Sequence, residues 1–241
     1  MAWREDAVNL MRSRSRESAA RRSRASEGEA PSGVITEISP SVRREGRFDV
    51  MVGGRRAAVL SADSVLRLGL HTGDEWTPEL AARVAPEAES VRVFDRALAM
   101  LASRGRSVRE MRLALLRKRE PEPLVSAAIE RLVALGALND ELFARQFVRS
   151  RMVRAGLSKR RLQSELARRG VERSAIDAAI ADVAEEEQID PAESLERVAA
   201  KKLRTMSKLD APTRRRRLFS FLARRGYDSD EIRTVMTKLE G

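Results

Sequence analysis

Leu166-Ala-Arg-Arg-Gly170 returns letter for letter as Leu222-Ala-Arg-Arg-Gly226, 56 residues further on. Four residues before each leucine stands another, Leu162 or Leu218. After it, at 10, 14 and 17 residues, come Ile176, Ile180 and Val183 in one copy and Ile232, Met236 and Leu239 in the other. A diverged third copy is set on Leu115, 51 residues before Leu166, with Met111 upstream and Val125, Ile129 and Leu132 downstream. Self-similarity at such a period marks a repeated supersecondary unit. Within a copy, an apolar pair at i and i+4 makes the buried stripe of a first helix. Gly170 or Gly226 then ends that helix as a left-handed residue. The next apolar set, at i, i+4 and i+7, is the inner face of a second helix. Two helices cannot close a core, so each copy recruits a preceding one, and the chain reads as stacked three-helix modules of roughly 45–55 residues.

The preceding helices are legible. Val91, Phe94, Leu98 and Leu101 recur at helical spacing before Gly105, and Ser107-Val-Arg-Glu110 is a capping box opening the next helix. Leu142, Phe143, Phe147 and Val148 form a stripe that Gly156 ends. Asp190-Pro191 caps a helix through Leu195, Val198, Ala199, Leu203 and Met206, and Asp228 with Glu231 caps the last one. In the first copy Pro121 and Pro123 stand where the others have the glycine turn. Joints around Gly156 and Glu185–Asp190 are expected to flex, and the run Glu185-Glu-Glu187 reads as a solvated linker.

Upstream the character changes. Val34, Ile35 and Ile38 make an extended run that Pro40 ends; Arg47–Val52 alternates, Gly53-Gly54 turns, and Arg55–Leu60 returns. A helix at 61–68 stops at Gly69, a loop carries His71, and a short helix at Pro78–Val84 is expected to end at Pro86. Residues 1–32, rich in Ser, Arg, Ala and Glu, read as a disordered tail with a short helix around Ala7–Met11. The expected fold is mainly α: three tandem three-helix modules (91–137, 138–184, 188–241) in an elongated solenoid, behind a small β-containing subdomain (33–86) and that tail.

Composition removes several chemistries. The 241 residues hold no cysteine and one histidine, His71, which leaves no thiolate zinc site, disulfide or cysteine nucleophile. No Walker loop or G-x-G-x-x-G is present, so neither an enzyme nor a cofactor is expected. No apolar run reaches the ~18 residues that span a bilayer, nor is there a signal-peptide stretch, which predicts a cytoplasmic protein. With no heptad seam, a monomer is expected.

Charge is the positive clue. The net charge is +11, with 41 Arg against 6 Lys, and it sits wholly in residues 91–241, which hold 33 basic and 22 acidic residues. Guanidinium is the better fork for phosphate and carboxylate. Basic residues cluster at helix ends: Arg117 and Lys118; Arg168 and Arg169; Arg224 and Arg225. They also cluster at helix starts: Lys159, Arg160 and Arg161, then Arg214, Arg215, Arg216 and Arg217, while Lys201 and Lys202 lie on the helix between. Arginine at a helix C-terminus complements the dipole by a few tenths to about 1 kcal/mol. That account fails at helix starts, where the dipole repels cations. Lys159, Arg161, Arg168 and Arg169 are expected to face outward. A repeated cationic face suits a phosphate backbone or an acidic protein groove. A helix-turn-helix over Leu157–Val183 would offer only Ile, Ala, Asp and Val to a base edge, which argues against sequence-specific reading. With aromatics at 4%, base-stacking platforms are disfavoured too.

The three modules, the two LARRG stops, Gly136-Ala-Leu-Asn-Asp-Glu-Leu-Phe-Ala144 and Arg149-Ser-Arg151 together resemble the RecX family of bacterial regulatory proteins over residues 91–241. That resemblance implies a negative modulator that lies in the groove of the RecA–DNA filament and suppresses ATP hydrolysis, strand exchange and coprotease activity. It implies no catalytic residues. The family's basic faces fall here on Arg160, Arg161, Arg168, Arg169, Lys201, Lys202, Arg214 to Arg217, Arg224 and Arg225. The implied partners are the RecA filament and single- and double-stranded DNA, bound without sequence preference. The rival reading is an architectural or transcriptional DNA-binding protein acting through the phosphate backbone.

Overall fold

The structure, a computed structural model, describes residues 31–240. The helix expected at Ala7–Met11, and the tail around it up to residue 30, lie outside the described residues. The chain divides into two compact units at Val91/Arg92.

In the first unit β1 (Ile35–Pro40), β2 (Arg47–Val52) and β3 (Arg55–Ser61) form an antiparallel meander in the order β1-β2-β3. Val50 sits opposite Ile38 on one side and Ala58 on the other. The period-2 alternation sends Ile35, Val50, Val52, Ala58 and Leu60 into a core closed by Leu70, Trp76 and Val84. Helix α1 (Ala62–Leu68) starts on Ser61, whose hydroxyl accepts from Ser64 N, and stops at Gly69.

The helix expected to stop at Pro86 does not. Helix α2 runs from Pro78 to Ser103 with Pro86 inside it. An internal proline forfeits one backbone hydrogen bond and costs about 3 kcal/mol. Here packing at both ends overrides that cost: Leu80, Ala81 and Val84 belong to the sheet's core, and Val93, Phe94 and Ala97 are buried in the first module.

The second unit is three modules, each with its own core. The first joins the end of α2 to α3 (Val108–Arg117) and α4 (Glu122–Ala134) around Met111, Leu115, Val125, Ile129 and Leu132. The second comprises α5 (Asp140–Arg149), a π-turn (Ser150–Arg154), α6 (Lys159–Arg168) and α7 (Arg173–Glu186), packed on Leu162, Leu166, Ile176, Ile180 and Val183. The third comprises α8 (Pro191–Arg204), α9 (Ala211–Arg224) and α10 (Ser229–Glu240), packed on Leu218, Leu222, Ile232 and Met236. The repeat's ruler is therefore the ruler of burial. Met111, Leu115, Leu162, Leu166 and Leu222 are fully buried, each worth about 1.5–3 kcal/mol of transfer from water.

Two stripes are rotated from expectation. Leu98 is exposed, and the inner face of α2 is Val93, Phe94, Ala97, Met100 and Leu101. Leu142 is exposed as well, because Ala144, Phe147, Val148 and Met152 turn inward instead. Both leucines lie one helical step off the buried arc. Helix α7 is also longer than the apolar stretch 175–184, and its last turn takes in part of the acidic run. Glu186 pairs with Arg145 and Arg149, and Glu187 with Arg149, so the run is a clasp between α5 and α7 and not a free linker.

The first copy has no glycine, and its prolines do not make the turn. Pro121 is the N-cap of α4, with Pro123 in the first turn, where a missing N–H costs nothing. The left-handed position falls two residues before Pro121, on Arg119 (φ 61°), four residues after Leu115, as Gly170 (φ 83°) follows Leu166 and Gly226 (φ 92°) follows Leu222. Glu120 N closes on Leu115 O at 3.3 Å as Val171 N closes on Leu166 O at 3.2 Å, the same helix stop in both copies.

Candidate functional site

The repeated Arg-Gly turn is first of all a joint between modules. Ser107, the N-cap of α3, accepts from Glu110 N (3.1 Å) and donates its hydroxyl to Arg169 O in the next module (2.6 Å). The Arg169 guanidinium returns to Glu110 Oε1 (2.5 Å) and lies 4.8 Å from the Phe147 ring centre. Glu110 thus takes Arg169 as its partner, and only the serine half of the capping box is formed. Val108 N donates to Asp140 Oδ1 (2.8 Å) across the same joint, and burial pushes the Asp140 carboxyl above its ordinary range. Replacing Ser107 with alanine removes a helix cap and this joint bond together. The expected loss is about 1–2 kcal/mol, read as a lower urea midpoint with an unchanged far-UV spectrum.

The second joint uses the same backbone in another way. Ser158 N donates to Arg225 O (3.0 Å), and the Tyr227 hydroxyl donates to the carbonyl of buried Gly156 (3.2 Å). The position of Glu110 is here held by Arg161, which pairs with Glu165 (2.7 Å) in its own helix. Arg225 therefore has no carboxylate there and lies over Phe221, 4.5 Å from its centre. The Gly156 segment, expected to flex, is a packed joint.

The candidate cations now sort by place. Arg161, Arg169 and Arg225 are half-buried in the joints, against the expectation that Arg161 and Arg169 face out. Tight approach of the next module, with an aromatic or a carboxylate to receive the guanidinium, draws them in. Arg117, Lys118, Lys159, Arg160, Arg168, Lys201 and Arg224 are exposed, and so are Arg215, Arg216 and Arg217. Arg168 bonds back to the Ser164 hydroxyl (2.8 Å). Lys202 and Arg214 are half-buried, the former 5.3 Å from the Phe221 ring centre.

Helix α9 differs from its counterparts. α3 and α6 have 10 residues and begin after Ser107 and Ser158, four residues before Met111 and Leu162. α9 has 14 residues and begins one turn earlier, after Asp210. Arg214 stands where the joint serine would be. In place of that serine the start of α9 carries four consecutive arginines, Arg214 to Arg217. Asp210 caps the extra turn by accepting from Thr213 N (3.0 Å). That bond, the Thr213 hydroxyl and the nearby Arg216 charge hold the Asp210 carboxyl below its ordinary range.

The cations of this end line two open grooves that share Ser207. One, ≈ 690 Å³, is bounded by Lys202, Lys208, Arg216, Arg217 and Arg224 around Phe221. The other, ≈ 860 Å³, has Arg204, Arg214 and Arg215 at its edge and Leu203, Leu218, Met236 and Leu239 as apolar lining. Lys208 and Arg204 were not among the candidates from sequence. The signal was there in the Asp210 cap, which makes 205–209 a turn folded beside the start of α9. Charge is also unequal between modules. Residues 91–137 carry 10 basic and 5 acidic residues, 138–187 carry 10 and 9, and 188–241 carry 13 and 8. The middle module is nearly neutral, and the excess lies in the outer two.

Among the described residues no group of three or more His, Asp or Glu is placed to hold a metal, and no helix is long and apolar enough to cross a membrane. His71 is an exposed turn residue 3.9 Å from Asp74.

Three segments match family models: RecX, first three-helix domain, over residues 94–132; the second over 139–180; and the third over 188–236. A Regulatory protein RecX of Mycolicibacterium vanbaalenii is 36% identical over 143 residues, covering 58% of this chain and 78% of that one. The chain belongs to the RecX family. Another RecX, from Streptomyces coelicolor, is 35% identical over 144 residues, covering 59% of this chain and 75% of its own. In fold, the chain is similar to a crystal structure of regulatory protein RecX at a TM-score of 0.64 and 20% identity, over 85% of this chain and 99% of that one. It is also similar to the RecX of Lactobacillus salivarius at a TM-score of 0.51 and 20% identity, over 63% of this chain and 97% of that one. The likeness thus extends to the three modules in the family's own order.

Proposed function

We propose that this RecX chain is a negative regulator of the RecA recombinase. It binds the RecA–DNA filament and lowers its ATP hydrolysis, strand exchange and coprotease activity, in the cytoplasm, with effects on recombination, repair and the SOS response. The observation that carries this reading is the succession of three RecX modules with cationic outer members and a near-neutral middle one. A filament repeats its acidic and phosphate surfaces at a fixed interval. Two cationic ends on a stack with packed joints meet that repeat at two points, and the second contact forms at high effective concentration. Packed joints serve this better than flexible ones, since they lose less entropy on binding.

The test is RecA's single-stranded-DNA-dependent ATP hydrolysis, titrated with the full chain at physiological salt. Inhibition is expected well below one copy per RecA protomer. If inhibition begins only once the DNA itself is saturated, the chain is a competitor for DNA, and the architectural reading replaces this one.

A further inference from the structure

The second module has a hole where the first is filled. Glu141, Leu142 and Arg145 of α5, with Ala175, Ala178 and Asp182 of α7, border a pocket of ≈ 340 Å³ along the seam between the two helices. Its floor is apolar, and Leu142 stands 54% exposed at its edge. Residues of the first two modules correspond at an offset of 51, the distance from Leu115 to Leu166. Ala175 thus corresponds to Leu124, which packs against the first core, and Arg145 to Phe94, which is buried there. Two large apolar side chains have become an alanine and an arginine that turns away to Glu186. In the first module Arg131, the counterpart of Asp182, closes the seam by lying 4.7 Å from the centre of the Phe94 ring. In the second the seam stays open to a side chain of leucine size.

We infer that this pocket docks a helix of a partner protein, which seats one aliphatic side chain in it and sets an arginine or lysine one turn away on the carboxylates of the rim. The inference rests on the proposed function, under which the partner is the recombinase of the filament. It names what the near-neutral middle module contributes.

The floor supplies the driving force, since covering Leu142 and the alanines removes apolar surface from water. The rim supplies the selection. Along the seam stand four carboxylates, Glu141, Asp182, Glu186 and Glu187, against two guanidiniums, Arg145 and Arg149. Both arginines are engaged by Glu186, and Arg149 by Glu187 as well. Asp182 lies 4.0 Å from Arg145, and Glu141 makes no ion pair among the described residues. An excess of negative charge on a chain of net charge +11 turns phosphate away from this face and receives a cation. A small uncharged ligand would cover the floor and leave the rim carboxylates unanswered. The two halves of the site are one helical turn apart, from Ala178 to Asp182, which is the spacing of i and i+4 residues on a helix laid in a groove.

The experiment is binding of the fluorescently labelled full chain to RecA filaments, assembled on a dT oligomer with a non-hydrolysable ATP analogue, and separately to the bare oligomer. Ala175→Leu refills the pocket with the side chain that the first module uses. Glu141→Arg reverses the rim at an exposed position and leaves the floor intact. Each is expected to weaken filament binding about tenfold, with affinity for the bare oligomer undiminished. Circular dichroism melts establish that both variants fold. Variants that bind the filament as the parent does overturn the inference and leave the proposed function standing. A parent that binds the oligomer and gains nothing from the filament refutes the proposed function, and the recombinase as occupant goes with it. Sedimentation equilibrium of the chain alone tests the other occupant: a dimer that Ala175→Leu dissociates would give the pocket to a second copy and overturn the inference as well.

Discussion

Gly226→Ala is expected to destabilise the third module by about 3 kcal/mol, adding the cost of an L-residue at positive φ to that of overpacking. Gly226 is held at φ 92°. A Cβ there would lie 2.5 Å from both Arg161 Cβ and Ser158 Oγ, and 3.1 Å from Arg161 N. Two of those three atoms sit on or beside the backbone of α6, so a rotamer change does not relieve the contact. The joint must open, and opening it also breaks the bond from Ser158 N to Arg225 O. Urea unfolding followed by circular dichroism reads the loss. Arg119 occupies the same position in the first module, at φ 61°, with an ordinary side chain in the disfavoured conformation. Arg119→Gly should accordingly raise stability by about 0.5–1 kcal/mol, the relief of strain less glycine's greater freedom when unfolded. The opposite signs follow from positive φ at both positions; what reports the joint is the size of the Gly226→Ala loss beyond that backbone cost. A Gly226→Ala protein as stable as its parent would show that the modules do not press together there.

That contrast also shows what the sequence could and could not reveal. Leu166-Ala-Arg-Arg-Gly170 and its twin announce a helix stop, because a glycine after an apolar pair and two arginines has a local reason to be left-handed. The second demand on Gly170 and Gly226, space for a neighbouring module, is a contact across 60 residues or more and leaves no mark on the local pattern. For the same reason the first copy, with Arg119 in place, looked as though it lacked the turn. The cationic clusters were visible as composition. Their division into joint members (Arg161, Arg169, Arg225) and groove members (Arg216, Arg217, Arg224) depends on which of them meets Glu110, Phe147, Glu165 or Phe221, and spacing along one helix does not decide that. Pro86 misled because propensity is a local term of a few kcal/mol, and cores at the two ends of α2 outweigh it. Leu98 and Leu142 misled because an apolar residue next to a buried arc looks, in sequence, like a member of it.

Glu120 left no signal in the sequence, and the largest electrostatic effect in the first module is expected from it. It sits between left-handed Arg119 and the cap residue Pro121 with its side chain 2% exposed. Arg92 donates to both of its oxygens, at 2.9 and 2.6 Å, and Arg96 donates to one, so the end of α2 is clamped to the α3–α4 turn. The hydrogen bonds from Arg92, ahead of the opposing cost of burial and the charges of the two arginines, hold the Glu120 carboxyl below its ordinary range. A carboxylate with a lowered pKa in the folded state contributes stability that is complete above its unfolded value of about 4.3 and is lost as pH falls through the folded value. Glu120→Gln keeps the shape and removes the charge. Both arginines remain about 40% exposed and rehydrate in part, which places the expected loss at pH 7 at about 2–3 kcal/mol, below that of a fully buried pair. The difference between parent and variant should be constant from neutral pH down to about 5 and shrink below that, as the parent's own carboxylate is protonated. Urea midpoints collected from pH 7 to 3 give that curve directly. A difference that stays the same at every pH would mean that Glu120 acts through its packing, and that the clamp on α2 is a matter of shape alone.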